Sequence, residues 1–243
     1  MSTINRALRT SASFLLVFLV TGCSSLGGDG SRDGGPDEEK KPVLVDAHKV
    51  CDGLLGQAGG DALVELTQDR RVISRGLGDV GKVVRQMKSA SATSGSGARL
   101  GNICSFKAPT KGVDSQSVEF SYGWGAVPEK VPKRRLISSA GAAFVTRDVD
   151  RIAPTVLYFR CARESEPEGV VKGEFTGNWD LNGLSAPEED RNHIRVALAS
   201  ASAMSDALGC ANDPDLSPGA EPKLLNGDAK PSDPPSPFPE LPE

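Results

Sequence analysis

The chain has 243 residues, a formal net charge of −4 and an aromatic content of only 5%. The negative charge belongs to the C-terminal tail, where Asp213, Asp215, Glu221, Asp228, Asp233, Glu240 and Glu243 face only Lys223 and Lys230. From Leu44 to Asn212 acids and bases nearly cancel, and such a balance argues against nucleic acid as a partner, which needs a basic face.

Arg6 and Arg9 precede an apolar run from Ala12 to Val20, followed by Thr21, Gly22 and Cys23. That run is too short to span a bilayer, which takes about 20 residues. It fits the core of a secretory signal peptide, about 7–15 residues. No twin arginine precedes it, so the general secretory route is expected. The sequence Val20-Thr21-Gly22-Cys23 resembles the lipobox of bacterial lipoproteins. The resemblance implies removal of residues 1–22, a diacylglycerol on the Cys23 sulfur and acylation of the new N-terminus. One acyl chain binds membranes only marginally, whereas two hold stably. The competing expectation is a soluble secreted protein cut near Gly22. No later segment is apolar enough to cross a bilayer, so the remainder is expected on the extracytoplasmic face of the cell membrane.

Residues 23–43 form the lipidated cysteine and a tether rich in Ser, Gly, Asp, Glu, Lys and Pro. As a flexible coil it spans about 25 Å, and fully stretched about 65 Å. A single α+β domain is expected over 44–212. Asp46 suits an N-cap, with a helix through Lys49, Cys51, Leu54 and Leu55 that Gly59-Gly60 breaks. A second helix is expected through Leu63, Val64 and Leu66, then a short extended piece at Arg71-Val72-Ile73. Val80, Val83, Val84 and Met87 have helical spacing between Asp79 and Lys88.

The texture then changes to strands. Candidates are 102–106, 117–124, 142–145, 155–161 and 170–176, the last two as neighbours. Alternation puts Val118, Phe120, Tyr122 and Trp124 on one face. Ser185-Ala186-Pro187-Glu188 matches a capping box. It opens a helix whose stripe is Ile194, Ala197, Leu198, Ala201, Met204 and Leu208, stopped by Gly209. Residues 213–243 form a Pro/acidic tail that lacks the apolar content to fold. The fold class is therefore α+β: an antiparallel sheet of four to six strands with helices packed on one face.

Five cysteines are present. With Cys23 assigned to lipid, Cys51, Cys104, Cys161 and Cys210 remain, an even number suited to two disulfides outside the cytoplasm. Three pairings are possible. Cys51–Cys104 with Cys161–Cys210 is favoured, because each joins a helix to a strand in its own half. No C-x-x-C pair supports a metal site, so no metal and no cofactor is expected. The order of lipobox, tether, "VCDGLL" helix, "ICSF" strand, "LYFRC" strand and terminal helix ending "LGC" resembles small actinobacterial (Streptomyces-like) lipoproteins of unknown function, loosely similar to the DUF3558 lipoproteins. That resemblance implies a surface lipoprotein and carries no catalytic residue.

Other motifs weigh less. Gly76-Leu77-Gly78-Asp79-Val80-Gly81-Lys82 fits two nucleotide patterns, but Val83 stands where a P-loop needs Ser or Thr. The dinucleotide version lacks its acid about 20 residues on. A glycine-rich turn before a capped helix accounts for it. His48 and His193 have no i+4 histidine partner, and Ser138-Ser139-Ala140-Gly141 is no nucleophile elbow. Asp148 and Asp150 read as a solvated turn, and Glu188, Glu189 and Asp190 as acids favoured at a helix start. Lys130, Lys133, Arg134 and Arg135 form a basic cluster that reads as an exposed loop, with contact to anionic lipid or wall polymer as the alternative. Trp124 and Trp179 could stack on sugars, though Trp124 belongs to a strand face and is expected in the core. The expected function is a non-catalytic binding or accessory module that meets an envelope protein or wall polymer. The alternatives are a solute-binding lipoprotein of a transporter and a wall-polymer hydrolase using Glu174, Asp180 and the Asp148/Asp150 pair.

Overall fold

The computed structural model describes residues 43–76, 78–91, 99–109, 117–128, 135–148, 154–164, 169–176 and 186–225. The signal segment, Cys23, the tether and residues 226–243 lie outside them. Nine strands form one antiparallel sheet: β1 (Val43–Asp46), β2 (Arg71–Ser74), β3 (Gly101–Lys107), β4 (Ser117–Trp124), β5 (Arg135–Ala140), β6 (Ala143–Asp148), β7 (Thr155–Arg160), β8 (Val170–Thr176) and β9 (Lys223–Leu224). Three helices accompany it: α1 (Gly56–Thr67), α2 (Val80–Ser89) and α3 (Ala186–Leu208).

The order across the sheet is β1-β2-β3-β4-β8-β7-β6-β5-β9. Two sequential meanders, β1 to β4 and β5 to β8, therefore meet through their last strands. The expected neighbours β7 and β8 pair, with Leu157 opposite Gly173 and Phe159 opposite Val171. The expectation of four to six strands falls short. Strands β1, β5 and β9 carry no strong strand signal of their own: two are only 4 and 2 residues long, and β5 reads RLISSA.

Alternation places the core. Val118, Phe120, Tyr122 and Trp124 are all buried on the face of β4 that meets the helices. Edge-to-face rings run across the middle strands: Phe106 to Phe120 at 5.7 Å, Phe120 to Phe175 at 5.1 Å and Tyr122 to Phe175 at 5.9 Å. Such pairs add about 0.5–1.5 kcal/mol each beyond area burial. On the opposite face Phe144, Val156 and Tyr158 form a smaller buried cluster with Val127 and Val170.

Helix α3 carries its expected stripe, and Ile194, Ala197, Leu198, Ala201, Met204 and Leu208 are all buried. Its end is a Schellman motif: Gly209 (φ +73) donates to the Asp206 carbonyl at 3.1 Å, and Cys210 donates to that of Ser205 at 3.2 Å. Ser185, the expected cap, lies outside the described residues. The chain does not leave the body at Asn212, as the tail's composition suggested. Leu216 is 3% exposed, the Asp215 carbonyl accepts the Ala142 N–H at 2.7 Å, and β9 pairs with β5. A single leucine and two strand residues keep 213–225 on the sheet, too little to outweigh Pro and Asp in a composition argument.

Gly59 and Gly60 do not break a helix; they lie inside α1, both buried. A Cβ on Gly59 would lie 2.6 Å from the Ala199 Cβ of α3, and one on Gly60 would lie 2.4 Å from the His48 ring. The missing side chains let α1 approach α3 and the preceding turn. That turn, Ala47–Gly53, is a 3-10 stretch rather than the expected helix. Asp46 caps it, but Cys51 (φ +57), Asp52 (φ +57) and Gly53 (φ +79) are left-handed. Gly59→Ala should lower stability by about 1–3 kcal/mol, because overpacking outweighs the gain in helix propensity. Urea unfolding measures this, and an equal or higher midpoint would show that the helices can part at no cost.

Candidate functional site

The four cysteines of the body pair as favoured. Cys51 bonds Cys104 (Cα–Cα 5.4 Å) and Cys161 bonds Cys210 (Cα–Cα 4.8 Å). The first ties the left-handed turn to β3, and the second ties the end of β7 to the end of α3. Asn212 reinforces the second: its Oδ1 accepts the Ala162 N–H at 2.8 Å, and its Nδ2 donates to the Arg160 carbonyl at 3.2 Å.

The glycine-rich segment is a turn before a capped helix, not a phosphate cradle. The Asp79 carboxylate accepts the Lys82 N–H at 2.8 Å, so an anion already occupies the N-terminus of α2. Gly78 (φ +107) passes so close to β3 that a Cβ would lie 2.4 Å from the Cys104 nitrogen. The segment does border a cleft between α2 and the paired ends of β3 and β4, with a volume of about 1030 Å³. Val83, Met87, Tyr122 and Trp124 back it, while Lys82 and Arg99 stand on its rim. Two of its polar side chains serve the fold. Trp124 Nε1 donates to the Met87 carbonyl at 2.7 Å, and Asn102 Oδ1 accepts the Cys104 N–H at 2.9 Å. The Arg163 guanidinium lies 5.8 Å from the Trp124 ring. Trp124 is thus a core residue, 2% exposed, rather than a sugar platform.

One dense charged cluster among the described residues was not anticipated as such. His48 Nδ1 lies 2.8 Å from Asp46 Oδ1, and His48 Nε2 lies 2.8 Å from Asp61 Oδ1. A carboxylate only accepts, so the pair of contacts favours the imidazolium, which donates from both nitrogens, although the Gln57 amide nitrogen also lies 3.2 Å from Nε2. Arg70 Nε holds Asp46 at 3.0 Å, and Gln57 Nε2 holds Asp61 at 3.1 Å. The bonds to Asp61 and then Asp46 raise the His48 pKa above its ordinary 6.5. The His48 backbone N–H and then its ring lower that of Asp46, and the His48 ring followed by Gln57 lowers that of Asp61. With both nitrogens engaged by carboxylates, His48 is arranged as a clasp between the turn and α1, not as a base beside a nucleophile. The i, i+2 pairing Asp46-x-His48 was visible in sequence; Asp61 came from another element and was not.

The remaining candidates scatter. Asp148 ends β6, and Asp150, Asp180, Trp179, Lys130, Lys133 and Arg134 lie outside the described residues. Arg135 begins β5. Glu174 on β8 pairs with Lys172 at 2.5 Å. Asp190 pairs with the buried Arg147 of β6, so it anchors α3 to the sheet rather than merely facing solvent. Tyr122 and Ser200 join the layers at 2.7 Å, with Ser200 donating onward to the Ala197 carbonyl. Burial pushes the Tyr122 phenol well above its usual range. No cluster of metal-ligating side chains occurs among the described residues, and no described helix is long and apolar enough to cross a membrane. The chain matches no protein-family model, no curated protein and no solved structure, so residue roles rest on geometry.

The clasp gives stability a definite pH dependence. A raised histidine contributes fully below its unfolded value of about 6.5, and that contribution is lost as pH rises through the folded value. The lowered carboxylates contribute above their ordinary value near 4, and theirs is lost as pH falls through the folded values. Stability from this cluster should therefore peak between about pH 4 and 6.5. In His48→Gln the decline above pH 6.5 should flatten. Urea midpoints across pH 5–9 test it, and identical slopes in both proteins would refute the imidazolium.

Proposed function

We propose that the chain is a cell-surface lipoprotein held by an acylated Cys23, with a non-catalytic binding or accessory module as its folded body. The observation that carries this is the sequence run ending Val20-Thr21-Gly22-Cys23 behind Arg6 and Arg9. The cysteine count supports it. Removing Cys23 from five leaves four, and those four pair completely in the body, as suits an oxidising compartment.

The non-catalytic reading draws support from how the polar groups are spent. The His48 nitrogens face carboxylates, Glu174 is bound to Lys172, and Asp79 caps its own helix. The cleft beside α2 has the size range of a ligand site and is the place for a small ligand or extended segment. One continuous sheet favours this module over a transporter's solute receptor, which closes two lobes around its ligand.

Cys23→Ser tests the anchor. The variant should lose incorporation of labelled fatty acid and leave the membrane fraction, whereas the parent chain retains both. Fatty-acid labelling that persists in Cys23→Ser would place the lipid elsewhere and contradict the assignment.

A further inference from the structure

Three large apolar side chains are exposed among the described residues: Val43, Leu44 and Leu225. Two of them open β1, where the chain arriving from Cys23 joins the body. The register sets Leu44, Ile73 and Lys107 side by side across β1, β2 and β3. The alternate residues Val72 and Phe106 are buried in the core, so this row faces away from the helices. Ser117 continues the row opposite Lys107, and its hydroxyl accepts from Arg75 at 2.6 Å. Arg71 stands exposed in the adjoining row. The patch is therefore apolar at the sheet edge and cationic behind it.

Nearby acids offset only part of it. Asp46, directly across from Arg71, already binds His48 and Arg70, and Asp69 accepts the Arg71 backbone N–H while keeping its charge. Glu119 shares the face, but one strand further on and opposite Ser105 and Thr176. An exposed leucine beside three cations suits the boundary of a bilayer with anionic headgroups, where an apolar side chain enters the interface and cations stay with the phosphates.

We propose that this patch, Leu44, Ile73 and Lys107 with the neighbouring Arg71 and Arg75, is the face by which the body rests on an anionic bilayer surface. The inference rests on Cys23 being acylated. Only nineteen residues separate Cys23 from Val43, so an acylated Cys23 keeps the patch at about millimolar effective concentration beside the membrane, and a contact too weak for a free protein is populated. The attraction fades within about 8 Å at physiological salt, less than the tether's reach. The patch, not the tether, then decides which side of the body lies down.

The test is amide exchange on the mature chain in vesicles of phosphatidylcholine alone or with phosphatidylglycerol, after its mass has been read. Peptides covering 43–46 and 71–75 should exchange about threefold more slowly in the anionic vesicles. The difference should vanish in about 0.5 M salt and in Arg71→Gln/Lys107→Gln. Leu44→Ser, which alters only an exposed side chain, should halve it or more, with an unchanged melting temperature as the folding control. A mature chain lacking acyl mass would remove both the anchor and the docking. An acylated chain exchanging equally in both vesicles would remove the docking and leave the anchor. Protection produced by soluble polyphosphate on neutral vesicles would assign the row to a polymer and overturn the bilayer proposal.

Discussion

Two covalent cross-links fasten this fold, one at the turn before α1 and one at the end of α3. Cys51–Cys104 fastens a turn whose three successive left-handed residues include two non-glycines. Each such residue costs about 1–2 kcal/mol, while closing a loop of 53 residues limits the unfolded chain by about 4 kcal/mol. The cross-link thus offsets the strain beside it. Cys161–Cys210 fastens the last turn of α3 to the end of β7, and Asn212 completes the same junction through two backbone hydrogen bonds.

Between those staples the layers are fitted by small residues and a few polar links. Gly59 against Ala199 brings α1 onto α3, and Gly60 makes room for the His48 ring. The Tyr122–Ser200 bond and the Arg147–Asp190 ion pair connect sheet to helix inside the core. A buried bond of this kind costs more when broken than it returns when made, so these pairs specify one arrangement of the layers more than they add stability. The imidazolium clasp acts similarly at the edge, joining β1, the 3-10 turn and α1 around a single ring.

Sequence periodicity exposed the long elements. The stripes of α2 and α3 and the alternation of β4 stand out because each repeats over several turns or residue pairs, and both disulfide partners followed from cysteine count and placement. What it hid was set by distant contacts. Gly59 and Gly60 look like helix breakers until α3 and His48 fill the space beside them. The edge strands β1 and β9 are too short for a pattern. Leu216 pins a segment whose composition reads as tail. Asp61 lies thirteen residues beyond His48 and meets it only because of the intervening left-handed turn. No local window contains that geometry.

The proposal of export accounts for a body of balanced charge whose four cysteines are all paired. The most direct measurement is non-reducing peptide mapping of the native protein with a count of free thiols. The account predicts linked peptides Cys51–Cys104 and Cys161–Cys210 and no free thiol among the four. Reduced cysteines at these positions, or a linkage such as Cys51–Cys161, would contradict it.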